Sequence, residues 1–99
     1  MFLILVVPRF LDNPPGDKQT QLNIGSSPKL RCRVQSNSRA SIDWTKNGRD
    51  IDYAREGVVK EGYALKFISV QPKDEGRYTC KVYNGYGAIN FTYIVTVTG

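Results

Sequence analysis

The sequence predicts an all-β fold, a two-sheet antiparallel sandwich, and three observations carry this prediction. No stretch of ten or more residues places its apolar side chains at helical spacing. Short runs that alternate apolar and polar residues recur along the chain. Turn-forming residues separate these runs, as in Asn47-Gly48 and in Asn84-Gly85-Tyr86-Gly87. Seven to nine short strands with such spacing are typical of a sandwich.

Eight segments are predicted as strands because each alternates or is rich in β-formers and is bounded by turn residues. In chain order they are Leu3–Phe10, Gln19–Ile24, Pro28–Gln35, Ser41–Lys46, Gly57–Lys60, Ala64–Val70, Gly76–Tyr83 and Ala88–Thr98.

The alternation assigns a buried and an exposed face to several of these strands, because successive side chains of a strand point to opposite sides. In the third strand the apolar face comprises Leu30, Cys32 and Val34, and the cationic face comprises Lys29, Arg31 and Arg33. In the last strand the inward residues are Ile89, Phe91, Tyr93, Val95 and Val97, and the outward residues are Asn90, Thr92, Ile94 and Thr96. Strand 64–70 is expected to bury Leu65, Phe67 and Val70.

Length and composition predict one globular domain, residues 1–99, with 40% apolar residues. The chain contains no histidine, so general base catalysis and metal binding lack their commonest side chain. Its two cysteines form no CxxC pair. We therefore expect no enzyme activity, no metal and no cofactor.

The charge favours anionic partners. Fourteen Lys and Arg against nine Asp and Glu give a net charge of +5, which suits sulfated glycans, nucleic acid or anionic membranes. The charges are scattered, so an ordinary solvated surface is the alternative. Nucleic acid is disfavoured because the aromatic residues alternate inward instead of forming a stacking platform.

The first seven residues, MFLILVV, are too short to span a bilayer and lack a basic segment and a small-residue cleavage site. They are interpreted as a methionine from expression followed by an edge strand, or as the remnant of a leader. No direct membrane insertion of this module is expected.

Four features together resemble the immunoglobulin I-set domain: Cys32, Trp44 twelve residues later, Leu65, and the stretch DEGRYTC at residues 74–80. The resemblance spans nearly the whole chain. It implies a disulfide between Cys32 and Cys80 that ties the two sheets beside Trp44.

The resemblance also assigns roles to the residues before the second cysteine. Tyr78 is expected to place its ring in the core and to bond the backbone of the preceding corner through its hydroxyl. Asp74 is expected to form a salt bridge with Arg55.

Two further segments, WTKNGRDI at 44–51 and CKVYNGYGAINFTYIVTV at 80–97, resemble immunoglobulin domains of fibroblast growth factor receptors and of their kinase-lacking receptor-like relative. In those receptors the second such domain binds heparan sulfate, and the positions that match are Lys18, Lys29 and Arg31. Arg33 extends this set because it lies on the same predicted cationic face. Gln19 and Gln21 stand where the ligand-binding members are more apolar, which argues against growth factor binding by that surface.

The sequence favours an extracellular recognition module of a receptor ectodomain that binds a protein ligand, and heparan sulfate as a further ligand. Asn90-Phe91-Thr92 is a glycosylation acceptor if the chain is secreted. The alternative is a structural or adhesive module of a cell adhesion molecule or of a cytoplasmic muscle filament protein, packed against neighbouring immunoglobulin domains. In the sarcomere, the cysteines would stay reduced and Asn90 unglycosylated.

Overall fold

The computed structural model describes residues 9–10, 16–32, 34–35 and 40–99. Ten strands, one helical turn and one 3-10 turn lie within these ranges. The strands are β1 (Arg9–Phe10), β2 (Gly16–Asn23), β3 (Lys29–Arg31), β4 (Val34–Gln35), β5 (Ser41–Lys46), β6 (Arg49–Asp50), β7 (Val58–Glu61), β8 (Ala64–Phe67), β9 (Gly76–Asn84) and β10 (Gly87–Thr98). The helical turn α1 spans Tyr53–Glu56, and the 3-10 turn spans Pro72–Asp74.

The strands form two main sheets. A five-stranded sheet has the order β2-β10-β9-β5-β6, and a three-stranded sheet has the order β3-β8-β7. A short pair, β1 with β4, completes the described strands. Of the described pairs, β2 with β10 is parallel and the others are antiparallel. The expected antiparallel sandwich therefore has one parallel edge.

The core lies between the two sheets and consists of inward-facing apolar residues from both. Its members are Leu22, Leu30, Cys32, Ile42, Trp44, Ile51, Val58, Leu65, Phe67, Val70, Tyr78, Cys80, Val82, Phe91, Tyr93 and Val95. Burial of such side chains removes apolar surface from water and is the main stabilising term of the fold. The inward residues predicted for strand 64–70 are confirmed as buried.

Most predicted strands are present, with shifted ends. Strand 41–46 matches its prediction, and the last two strands differ from theirs by one residue at one end. The strand predicted over 64–70 ends at Phe67, because the chain leaves the ladder there and Val70 bonds to the turn at Ser26 instead. The predicted strand Leu3–Phe10 lies outside the described residues except for 9–10.

The outward position predicted for Thr92 is only half right, because the side chain is buried, at 8% exposure. Its hydroxyl lies 2.8 Å from that of Thr79 on the neighbouring strand. β10 lies between β9 and β2, and an ion pair between Arg77 on β9 and Asp17 on β2 crosses it. Asp17 is the partner of Thr92 in the pairing of β2 with β10. Thr92 therefore belongs to the outer face and yet is buried.

Candidate functional site

Three cations lie together on the outer face of the three-stranded sheet: Lys29 and Arg31 on β3, and Lys66 on β8. Lys29 pairs directly with Lys66 across the two strands, and Arg31 pairs with Ala64. Paired residues of neighbouring strands point to the same face. We call this surface, Lys29, Arg31 and Lys66, the basic face.

Glu61 on β7 contacts two cations of the basic face. One of its carboxylate oxygens lies 2.8 Å from the Lys29 ammonium, and the other lies 3.9 Å from the Lys66 ammonium. The hydrogen bond from Lys29 lowers the pKa of Glu61; desolvation opposes this shift, and the positive charges of Lys29 and Lys66 add to it. The carboxylate thus stays ionised and neutralises part of the basic face.

Sequence reasoning did not include Lys66 or Glu61 in the site. Lys66 lies between Leu65 and Phe67, both expected to be buried, so alternation alone places it outside. Lys66 and Glu61 become neighbours of the predicted cationic face only because β3 pairs with β8 and β8 pairs with β7. This pairing is not a local property of the sequence.

The other two predicted heparan sulfate residues are Lys18 and Arg33. Lys18 is exposed but belongs to β2, at the edge of the five-stranded sheet, where it pairs with Tyr93. The Tyr93 hydroxyl donates to the main-chain carbonyl of Arg31, so the two sheets meet near this edge. Arg33 lies outside the described residues.

The glycosylation acceptor Asn90 is exposed and lies on β10, paired with Lys81 on the outer face of the five-stranded sheet. Its neighbour Phe91 is buried, as the alternation predicts. Asn90 and the basic face therefore lie on opposite outer faces of the sandwich. A glycan on Asn90 would leave the basic face open.

The disulfide that the resemblance implied is present between Cys32 and Cys80, with Cα atoms 6.4 Å apart. It connects the three-stranded sheet to the five-stranded sheet. Trp44 is buried beside it and stacks on Tyr93, with ring centroids 6.4 Å apart. The indole Nε1 has no hydrogen-bond partner in the described part of the chain.

Tyr78 also makes the contacts that the resemblance implied. The Tyr78 hydroxyl donates to the main-chain carbonyl of Asp74 at 2.7 Å, and its ring packs edge-on against Phe67. Burial, followed by the negative charges of Asp74 and Glu56, raises the pKa of Tyr78. The hydroxyl therefore remains a hydrogen-bond donor over the physiological pH range.

The salt bridge predicted between Arg55 and Asp74 is wrong. Asp74 is buried, accepts a hydrogen bond from the main-chain N–H of Gln71 at 2.7 Å, and has Lys73 as its cation at 3.5 Å. Lys73 also donates to the carbonyl of Glu56, and so holds α1 against this corner. Arg55 is left exposed beside an open groove.

Lys46 provides a second link at the same corner. Its ammonium donates to the carbonyl of Lys73 at 2.7 Å and to the Glu56 carboxylate at 3.3 Å, and it lies 5.6 Å from the centre of the Tyr78 ring. Two lysines therefore occupy the space between α1 and the Asp74 corner, which explains why Arg55 does not reach Asp74.

The described ranges contain neither a metal-binding cluster nor a membrane-spanning helix. No group of three or more His, Cys, Asp or Glu residues there is arranged to hold a metal ion. None of the helical segments in those ranges has the length and apolar character needed to cross a membrane.

Comparison with known proteins identifies the relatives. The family model for the immunoglobulin I-set domain matches residues 8–97. Fibroblast growth factor receptor-like 1 of Gallus gallus is 37% identical over 75 residues, which are 75% of this chain and 15% of that protein. Contactin-5 of Danio rerio is 26% identical over 95 residues, 96% of this chain and 9% of that protein. The chain thus spans a small part of these two relatives.

Among solved structures, titin domain M7 superposes with a TM-score of 0.76 at 21% sequence identity. The match covers 97% of this chain and 98% of the titin domain. At this level of identity the likeness establishes the fold and carries no information on partners.

Proposed function

Because the chain belongs to the immunoglobulin I-set family, we propose that this non-catalytic module is an extracellular recognition module of a receptor ectodomain. It binds a protein ligand, and it binds heparan sulfate through the basic face. The similarity to a receptor-like protein at 37% identity supports the receptor assignment. The disulfide supports an oxidising compartment, since such bonds persist outside the cytosol.

The observation that carries the glycan proposal is the basic face itself. Lys29 and Lys66 retain side-chain exposures of 37% and 39%, and Arg31 is exposed beside them. Ammonium and guanidinium groups donate charge-assisted hydrogen bonds to sulfate oxygens. A flat sheet surface with several cations can follow an extended polyanion, whereas one isolated lysine cannot.

Chromatography on immobilised heparin tests the proposal. We expect the wild-type domain to be retained, and Lys29→Ala to lower the affinity about fivefold near 0.15 M salt, the effect of losing one anion contact by counterion release. Lys81→Ala is the matched control, since it removes one exposed charge from the opposite sheet. Absence of retention, or equal loss in both variants, would refute glycan binding by this face.

A second candidate is a structural or adhesive module within a tandem array, in a cell adhesion molecule or a muscle filament protein. The match to contactin-5, which covers 96% of the chain, favours it. In this case, the module contacts neighbouring immunoglobulin domains, and the basic face is an ordinary solvated surface.

Intact mass of the protein from its native source separates the compartments. The extracellular proposal predicts a closed Cys32–Cys80 disulfide and a glycan on Asn90. A cytoplasmic sarcomere module predicts two free thiols and an unmodified Asn90. Loss of the mass increment after treatment with an N-glycosidase would assign the modification to the Asn90 sequon.

A further inference from the structure

Glu61 occupies the position between two lysines where a bound anionic group would lie. Its two carboxylate oxygens are divided between the cations, one at 2.8 Å from Lys29 and the other at 3.9 Å from Lys66. These two lysines come from different strands, and Glu61 comes from a third. The sheet therefore assembles a carboxylate bridge over the cations of the basic face.

The bridge is open to solvent. The side chain of Glu61 is 43% exposed, and those of Lys29 and Lys66 are 37% and 39% exposed. Exposed ion pairs add little to stability and are screened by salt. A competing anion can therefore displace the carboxylate without disturbing the fold.

Displacement of the Glu61 carboxylate requires a partner whose anionic groups replace its contacts with Lys29 and with Lys66 together. With Glu61 ionised, the four charged groups Lys29, Arg31, Lys66 and Glu61 carry a net charge of +2, and moving the carboxylate aside frees two ammonium groups together. A monocarboxylate offers no more than Glu61 already provides. A chain with closely spaced sulfate groups offers several anions whose binding is intramolecular after the first contact.

We propose that Glu61 is an internal competitor for the anion site of the basic face, and that Lys66 is a binding residue of this site. The proposal rests on the proposed glycan function and adds its regulation and selectivity. Glu61 weakens the binding of sparsely charged chains and leaves densely sulfated polyanions as the class that binds. Arg31 provides the third contact: it lies opposite Ala64, which in turn lies opposite Glu61, and it forms no ion pair within the described ranges.

Heparin affinity of Glu61→Gln tests this role. We expect an increase of about fivefold near 0.15 M salt, as one more anion is neutralised on binding. Asp43→Asn is the matched control, because it changes the net charge equally on an exposed residue of the five-stranded sheet. We also expect Lys66→Ala to weaken binding more than Lys81→Ala does.

A carboxyl-carbon NMR titration of Glu61 provides a readout independent of the column. In the free domain the pKa lies below the ordinary value of 4.5 because of Lys29. Saturation with a heparin hexasaccharide should raise the pKa, since the lysines turn to sulfate and anions approach the carboxylate. Binding with an unchanged Glu61 titration would overturn the displacement.

The outcomes separate the two proposals. If no variant is retained on heparin, the glycan function fails, and this inference fails with it. If Lys29→Ala weakens binding but Glu61→Gln behaves like Asp43→Asn, the glycan function stands and the competitor role is overturned. If Lys66→Ala equals Lys81→Ala, Lys66 is not part of the site.

Discussion

At the residue scale, the corner before the second cysteine shows how one buried side chain holds several groups. Asp74 is almost fully buried and satisfied by a main-chain N–H and by Lys73, while its carbonyl accepts from Tyr78. Buried polar groups without such partners are destabilising. The residues of DEGRYTC therefore act as a structural corner of the fold.

Removing the Tyr78 hydroxyl is expected to destabilise the domain. Tyr78→Phe leaves the buried carbonyl of Asp74 without its donor, at a cost of about 1–2 kcal/mol in the free energy of unfolding. Urea denaturation measures this difference. Tyr86→Phe is the control, because Tyr86 is 56% exposed and should change stability by less than about 0.5 kcal/mol. Equal effects in the two variants would exclude the proposed role of the bond.

The same bond gives a pH dependence with a definite sign. The pKa of Tyr78 is raised in the folded state from the ordinary value of 10.0, chiefly by burial. The contribution of the Tyr78 hydroxyl to stability is therefore fully present below 10.0, the ordinary value, and is lost as the pH rises toward the pKa of the folded state. We expect the alkaline loss of stability to be smaller in Tyr78→Phe than in the wild type, as followed by urea denaturation across this range.

At the element scale, α1 is a single helical turn whose two ends are both capped. The Asp52 side chain accepts from the main-chain N–H of Arg55 at 3.2 Å, and Gly57 ends the turn in the left-handed region at φ 70°. A turn this short cannot persist alone. Its caps, and the contacts of Glu56 with Lys46 and Lys73, keep it in place.

Gly57→Ala is expected to reduce stability by about 1 kcal/mol, because an L-residue is strained at this φ. An added Cβ at Gly57 would meet no atom within 4 Å, so the effect would be purely conformational. Gly85→Ala is the control, since Gly85 has equal space and no left-handed φ. Thermal unfolding of both variants measures the difference, and equal melting temperatures would contradict the backbone argument.

At the scale of the whole molecule, two sheets of unequal width are joined by one disulfide and a shared core. The bond connects residues 48 positions apart, so it restricts a large part of the unfolded chain. Tyr93 on β10 adds a polar contact between the sheets, because its hydroxyl donates to the main-chain carbonyl of Arg31. Small domains gain much of their stability from such staples.

Loss of the disulfide is expected to cost about 2–5 kcal/mol in the free energy of unfolding, as measured for the double variant Cys32→Ala, Cys80→Ala. The reason is the larger conformational freedom of the unfolded chain, with the loss of core volume as a smaller addition. Adding a reductant should lower the stability of the wild type and leave the double variant unchanged. A reductant effect on the double variant would point to another cause.

Much of the fold and part of the site could be predicted from local pattern. Alternation along β10 identified the inward residues, and the spacing of Cys32, Trp44 and Cys80 identified the sandwich. Errors arose where contacts between particular side chains, near or distant in the chain, decide the outcome. Thr92 is buried on the outer face with its hydroxyl beside that of Thr79, and Asp74 has a lysine from its own turn in place of Arg55.

The sequence by itself determined which side chains face the core, because the period of a strand is a property of consecutive residues, and its resemblance to the I-set domain implied the disulfide. Only the tertiary structure decided that Lys66 lies beside Lys29 and that Glu61 bridges them. These contacts depend on which strands pair and in which register. Pairing is set by the packing of both sheets on one core, and no single segment carries that information.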